Sequence, residues 1–168
     1  MRLRKLEPKD AQGMLSWMHN PEISSVFQCD FQNFDLDRVN GFIESAQEDS
    51  ANLHRACVDD NDRYLGTVSL KNIDPVAKNA EYAISFCKEA HGTGASAFAT
   101  REILNIAFNE LKLERVYLNV RGDNARANSF YKKFGFIYEG SFKKHVFAGG
   151  EFKDLNWYRI LREEFNKE

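Results

Sequence analysis

The chain has 168 residues, enough for one domain with a substantial core. It is 43% hydrophobic and 29% charged with a net charge of −2, which offers no strong field for nucleic acid or an anionic membrane, and no apolar run reaches the roughly 20 residues of a membrane-spanning helix. Cys29, Cys57 and Cys87, like His19, His54, His91 and His145, are scattered without metal-site spacing, which predicts a metal-free protein of a reducing, cytoplasmic compartment.

No repeat, low-complexity tract or linker divides the chain, so one domain is expected over residues 1–168. RLRKL alternates charged and apolar residues and reads as a first strand. EPKDAQGMLSWMHN has Pro8 at a helix-start position and ends before Pro21; Met14, Leu15, Trp17 and Met18 recur at helical spacing, as core residues do. PEISSVFQCDFQNF reads as a short helix and an aromatic loop. DLDRVNGFIESAQED predicts a second helix with Leu36, Val39, Phe42 and Ile43 on one face. LHRACVD and YLGTVSLKNI, joined by DNDR, read as a hairpin.

Asn79 opens another strand, NAEYAISFC, which runs into Gly92 and Gly94. The helix after these glycines carries Leu104, Ala107, Phe108 and Leu111 at i, i+3, i+4 and i+7. RVYLNVR turns Val116, Leu118 and Val120 inward, a half-buried strand. NARANSFYKKF is a short helix stopped by Gly135. FIYEGSFKKHVFA and EFKDLNWYRIL make a closing hairpin turned at Gly149 and Gly150. This order of elements predicts a mixed α/β domain.

Two glycines directly before a helix raise the question of what lies against its first turn. Unpaired amides and the helix dipole favour an anion there, and glycines let a bulky one approach the backbone. A short Gly-x-Gly is also a common plain turn.

The series of strand, glycine turn, helix, strand and helix resembles the GNAT superfamily of acetyl-coenzyme A dependent N-acetyltransferases over essentially the whole chain. The family's Arg/Gln-x-x-Gly-x-Gly/Ala falls on His91, Gly94 and Ser96, with Gly92 as an additional glycine. NARANSFYKKFGF matches Asn-x-x-Ala-x-x-x-Tyr-x-Lys-x-Gly-Phe at Asn124, Ala127, Tyr131, Lys133, Gly135 and Phe136. HVFAGGEFKDLNWYRIL is similar to the closing hairpin of the branch that includes spermidine acetyltransferases and enzymes acetylating ribosomal-protein N-termini. The resemblance implies a single-domain GNAT fold, a mostly antiparallel mixed sheet flanked by helices.

It also implies acetyl-coenzyme A as cosubstrate, its pyrophosphate cradled by the amides of Gly92, Thr93, Gly94, Ala95 and Ser96, with His91 at the first position of the cofactor motif. Ile84, Ser85, Phe86 and Cys87 would lend backbone groups to the pantetheine arm. His91 stands where the family has Arg or Gln, and a neutral imidazole brings less positive charge.

Acetyl transfer to an amine needs a neutral nucleophile, donors for the thioester oxygen and an acid for the departing thiolate. By spacing alone Tyr131 reads as a core aromatic beside Phe130 and Phe134; the six-position match reverses that, because it sets Tyr131 at the family's tyrosine near the coenzyme A sulfur. Glu81 stands where related enzymes carry a carboxylate facing the acceptor, and otherwise reads as a surface ion-pair partner. Asn124 is either a helix cap or a pantetheine contact, or both. Cys87 could suggest a covalent acetyl-enzyme, but neighbouring Lys88 and Glu89 offer no clear base, and it reads as a small packing residue. A P-loop is unlike HGTGAS, which lacks the Gly-Lys-Ser/Thr end.

The expected acceptor is a small-molecule primary amine, an amino sugar or a polyamine. Phe27, Phe31 and Phe34 with Asp30, Asp35 and Asp37 could frame its pocket, or fill the core and cap the next helix. WMHNPEI also resembles the opening of some amino-sugar acetyltransferases. The alternatives are a protein N-terminus as acceptor and a binding module without turnover. The closing hairpin's exposed edge could pair two subunits.

Overall fold

The computed structural model describes residues 1–165, so the last three residues of the domain expected over 1–168 lie outside the described residues. Seven strands form one sheet: β1 (Arg2–Arg4), β2 (Leu53–Val58), β3 (Tyr64–Asp74), β4 (Asn79–Phe86), β5 (Arg115–Arg121), β6 (Ile137–Ala148) and β7 (Glu151–Leu161). Their order is β1-β2-β3-β4-β5-β7-β6. All neighbours are antiparallel except β4 and β5, which are parallel. Both expected hairpins form, and Gly149 and Gly150 turn the second with φ of 61° and 81°, left-handed values that glycine adopts without steric cost.

The helices are α1 (Ala11–Met18), α2 (Pro21–Ser24), α3 (Leu36–Ser45), α4 (Ala95–Asn105), α5 (Ala125–Phe134) and α6 (Arg162–Phe165). Side chains alternate across each strand, so the sheet divides two cores. On one face Val68, Leu70, Tyr82, Val116, Leu118 and Tyr158 pack with Ala99, Ile103 and Phe108 of the α4 segment and Tyr131 of α5. On the other, Ala56, Val58 and Cys87 meet Met14, Leu15, Trp17 and Met18 of α1 and Val39 and Ile43 of α3.

Two expected apolar faces are narrower than their spacing suggested. Leu36 and Phe42 of α3 are 44% and 38% exposed, because only the Val39–Ile43 stripe reaches α1; the Phe42 ring lies against His54 instead, with centroids 4.9 Å apart. Leu111 is 41% exposed. The helix passes into a π turn over Ile106–Glu110, whose extra residue rotates Leu111 away from the core, and Leu113 takes the buried place.

The N-terminus is tied down by charge. The Arg4 guanidinium grips the buried Asp10 carboxylate at 2.7 and 2.8 Å, and its Nε donates to Asp62 at 2.9 Å. Lys9 also donates to Asp62, which sits in the β2–β3 turn, so β1 and the chain entering α1 are clamped to that turn. Hydrogen bonds from Lys9 and Arg4 pull the Asp62 carboxyl down to about 2. A depressed folded-state value stabilises the fold above the unfolded carboxyl value, about 4, and that contribution disappears as pH falls through the folded one. Urea midpoints measured at falling pH should therefore drop between about pH 4 and 2, and Asp62→Asn should flatten that slope. Equal slopes in parent and variant would remove Asp62 from the acid response.

Candidate active site

The parallel pairing of β4 with β5 is short. Asn79, Ala80 and Glu81 pair with Arg115, Val116 and Tyr117, and there it stops. β4 continues along β3 to Phe86, and β5 along β7 to Arg121. Beyond Glu81 and Tyr117 the sheet therefore opens, and the edge of β4 from Tyr82 onward that faces β5 has no strand partner.

At the end of that free edge the chain makes a 3₁₀ turn over Lys88–Ala90 and the glycine loop before α4 begins. Gly92 and Gly94 have φ of 78° and 86°, which side-chain-bearing residues rarely adopt, and a Cβ built on either would point into open space. Gly94 caps α4, and its carbonyl accepts the first helical bond from the Phe98 amide at 3.0 Å. Among the described residues no hydrogen bond engages the amides of Gly92, Gly94, Ser96 or Ala97. Thr93 is tied inward by its hydroxyl, which donates to the Ala90 carbonyl at 2.7 Å, and Ala95 is fully buried. The result is a row of donors at a helix start with room above it.

His91 lies one residue before this row. Its Nδ1 is 2.9 Å from Nη1 of Arg126, in the first turn of α5. Burial, then the nearby guanidinium, hold the imidazole below its ordinary value, so it is neutral at pH 7.

Ile84 and Phe86 pack into the α4 core, and Ser85 is half-buried. Cys87 faces the other way. Its thiol lies 3.5 Å from the Gly13 carbonyl and 3.7 Å from the Ser16 hydroxyl, in the α1 core, and burial pushes it up. That environment suits packing rather than a nucleophile.

Tyr131 is 8% exposed and lies on the helix side of the opening, its ring 6.0 Å from Tyr82 of β4 and 6.1 Å from Tyr158 of β7. Burial raises its phenol well above the ordinary value, and no hydrogen bond to its hydroxyl is found among the described residues. It therefore keeps its proton with no protein acceptor engaged.

Glu81, adjacent to Tyr82, points to the opposite face of the sheet at the last paired position. Its carboxylate accepts from Lys71 Nζ at 3.2 Å, Asn72 Nδ2 at 3.1 Å and Asn119 Nδ2 at 3.3 Å. The Asn119 contact crosses from β5 to β4 just where the strands part.

Asn124 caps α5, accepting from the Ala127 amide at 3.1 Å. The helix is fixed more firmly by Asn128, which the sequence reading missed. Its amide nitrogen donates to the carbonyls of Arg121 and Asn124, and its Oδ1 accepts from Asn156 and Tyr158 at 2.9 and 2.8 Å. An asparagine one turn after a cap, where helix propensity disfavours it, was the available signal.

The loop after α2 divides the expected acceptor pocket in two. Phe27, Phe31 and Asp30, with Arg121 and His145, line a cavity of about 560 Å³ between that loop and the β6–β7 hairpin. Phe34, Asp35 and Asp37 line a separate one of about 550 Å³ beside α1. Asp35 caps α3 by accepting from the Arg38 amide at 2.9 Å. Phe27 and Phe31 also stack on buried Trp17 at 5.5 and 5.2 Å, so aromatic packing and cavity wall are the same groups. Arg121 stitches the loop to β5, donating to the Ser25 carbonyl at 2.6 Å while paired with Asp123.

Residues 1–137 match the model of the acetyltransferase (GNAT) domain. The chain belongs to the GNAT acetyltransferase family. It is 26% identical over 164 residues to a spermidine N(1)-acetyltransferase of Vibrio cholerae, covering 97% of this chain and 94% of that protein. It is 32% identical over 103 residues to a putative ribosomal N-acetyltransferase of Bacillus subtilis, covering 61% of this chain and 56% of that protein. Among solved structures, spermidine N-acetyltransferase from Vibrio cholerae in complex with CoA and spermine superposes with a TM-score of 0.89 at 25% identity, covering 98% and 97% of the two chains.

A GNAT acetyltransferase draws its acyl group from acetyl-CoA, and the residues present fit that donor. Open glycines and unengaged amides suit a pyrophosphate, and a free strand edge suits an amide-bearing arm. No group of three or more His, Cys, Asp or Glu among the described residues could hold a metal ion.

Proposed function

We propose that this GNAT acetyltransferase moves the acetyl group of acetyl-CoA to a primary amine of a polyamine. The observation that carries the reading is the opening of the sheet after Glu81 and Tyr117, with a carboxylate on one face and a protonated phenol on the other. The similarity, over nearly all of both chains, to an enzyme bound to CoA and spermine supports the acceptor class. The Trp17 and Ile23 of the amino-sugar-like segment are 5% and 8% exposed, so that signature is accounted for by packing.

In this reading the free amides of Gly92, Gly94 and Ser96 in the 92–96 loop hold the pyrophosphate, and the edge of Ile84–Cys87 with Asn124 guides the pantetheine arm into the opening. A primary amine titrates near ~10, so presenting it neutral at pH 7 costs about 4 kcal/mol. Glu81 takes that proton, directly or through a water, from the acceptor face. A positioned base is worth about 10²–10⁴ in rate, or roughly 3–5 kcal/mol, which is the size of the deficit. Tyr131 gives its proton to the departing thiolate from the helix side. Asp30 and the aromatic walls of the larger cavity receive the rest of a cationic chain.

The proposal extends to a cytoplasmic setting, in keeping with three free thiols. It also includes pairing of two copies along β6, an edge strand whose Phe142 and Phe147 are exposed.

Gly94→Asp sets a side chain and a negative charge against the cradle and should abolish CoA binding in calorimetry; a parental titration curve would move the cradle elsewhere. Tyr131→Phe should lower turnover about 10²–10⁴-fold with little change in CoA affinity. Glu81→Gln should lose most turnover at low pH, where the acceptor is most fully protonated. Parental turnover in either variant removes that residue from the mechanism. Spermidine, glucosamine and a peptide N-terminus assayed side by side should rank in that order, and acetylation of the peptide alone would overturn the acceptor.

A further inference from the structure

We propose that Arg126 supplies the phosphate-binding cation that the glycine loop lacks, and that His91 is the positioning residue that holds it there. The inference rests on the reading that residues 92–96 cradle the phosphates of acetyl-CoA.

A guanidinium can only donate, so the 2.9 Å contact between Arg126 Nη1 and His91 Nδ1 makes the ring an acceptor, with its single proton on Nε2. A protonated imidazole, or an arginine in its place, would push Arg126 away. The neutral histidine therefore gives up its own charge and anchors another one beside Gly92.

The local energetics make this placement unusual. Arg126 lies in the first turn of α5, where the helix dipole disfavours a cation, and that turn carries no acidic residue. Arg4, Arg115, Arg121 and Arg159 each pair with a carboxylate, whereas the described residues offer none to Arg126. Its side chain is exposed. An unneutralised guanidinium thus stands between the starts of two helices, next to glycines with open space above them. Positive potential gathered from three sources at one place is balanced by a multiply charged anion. Arginine's planar fork suits phosphate oxygens in two-point contact.

Calorimetric titration with CoA and with dephospho-CoA, which lacks the 3′-phosphate, tests the assignment. Arg126→Ala should weaken CoA about ten-fold at low ionic strength, with a smaller factor in high salt. Arg126→Lys should fall between parent and Arg126→Ala. His91→Ala, which loosens the anchor but keeps the charge, should lose less than Arg126→Ala. An equal loss for both ligands assigns the guanidinium to the pyrophosphate, and a loss confined to CoA assigns it to the 3′-phosphate; either supports the proposal. Parental CoA affinity in Arg126→Ala, with unchanged circular dichroism, would overturn it. So would a greater loss in His91→Ala, which would make the histidine itself the phosphate ligand. Gly94→Asp separates the two levels. If it abolishes CoA binding while Arg126→Ala does not weaken it, only this inference falls; if it binds CoA like the parent, the cradle reading falls first.

Discussion

The short parallel contact between β4 and β5 is the constraint on which the site depends. Each strand satisfies its backbone on its outer side, β4 with β3 and β5 with β7, so the pair can part after three residues without loosening the sheet. What remains is a line of backbone groups on each side of the opening, which costs free energy unless water or a ligand pairs with them. Parallel strands also require a crossover, and here α4 provides it. A crossover helix must begin near the end of the strand that feeds it. The dipole-positive start of α4 is thereby delivered to the mouth of the opening, at the carboxyl end of β4.

The same alternation that separates the two cores separates the two chemical roles proposed for the site. Tyr82 and Glu81 are neighbours in sequence and face opposite ways, so the phenol packed against Tyr82 and the Glu81 carboxylate address the opening from different sides. Their surroundings differ in kind. The phenol is buried among aromatic rings and raised well above its ordinary value, while three side-chain donors converge on the carboxylate. Asn128 keeps the first arrangement in register, because three of its four hydrogen bonds join α5 to β5 and β7, and the fourth closes on the cap of its own helix at Asn124. A shift of α5 would have to break those three together.

Element order was legible in the sequence because periodicity and turn residues agreed along the chain, from Pro8 to the Gly149–Gly150 turn. The glycine loop was legible for a backbone reason: positive φ at Gly92 and Gly94 leaves a compositional trace. Long-range partners leave none. Nothing in the spacing joins His91 to Arg126, 35 residues later, or Asn119 to Glu81, 38 residues earlier. The exposed Leu111 fails for a local reason, since a single π turn shifts the helical phase that the i, i+3, i+4, i+7 pattern assumes. The cavity walls were half legible: Phe27 and Phe31 were identified, but their split from Phe34 depends on how the loop stacks on Trp17.

On the proposed acceptor side, Lys71 sets up a competition between cations. Its ammonium already lies 3.2 Å from the Glu81 carboxylate and is 38% exposed, so it can swing into water at little cost. A substrate ammonium approaching Glu81 either displaces Lys71 or shares the carboxylate with it, and like charges held so close repel. Repulsion favours loss of a proton from whichever ammonium is less hydrated. Lys71 keeps access to solvent, whereas an amine drawn into the opening between β4 and β5 does not. In the proposed mechanism the lysine therefore adds to the driving force for deprotonating the acceptor, while Asn72 and Asn119 keep the carboxylate oriented as the contact with Lys71 is exchanged.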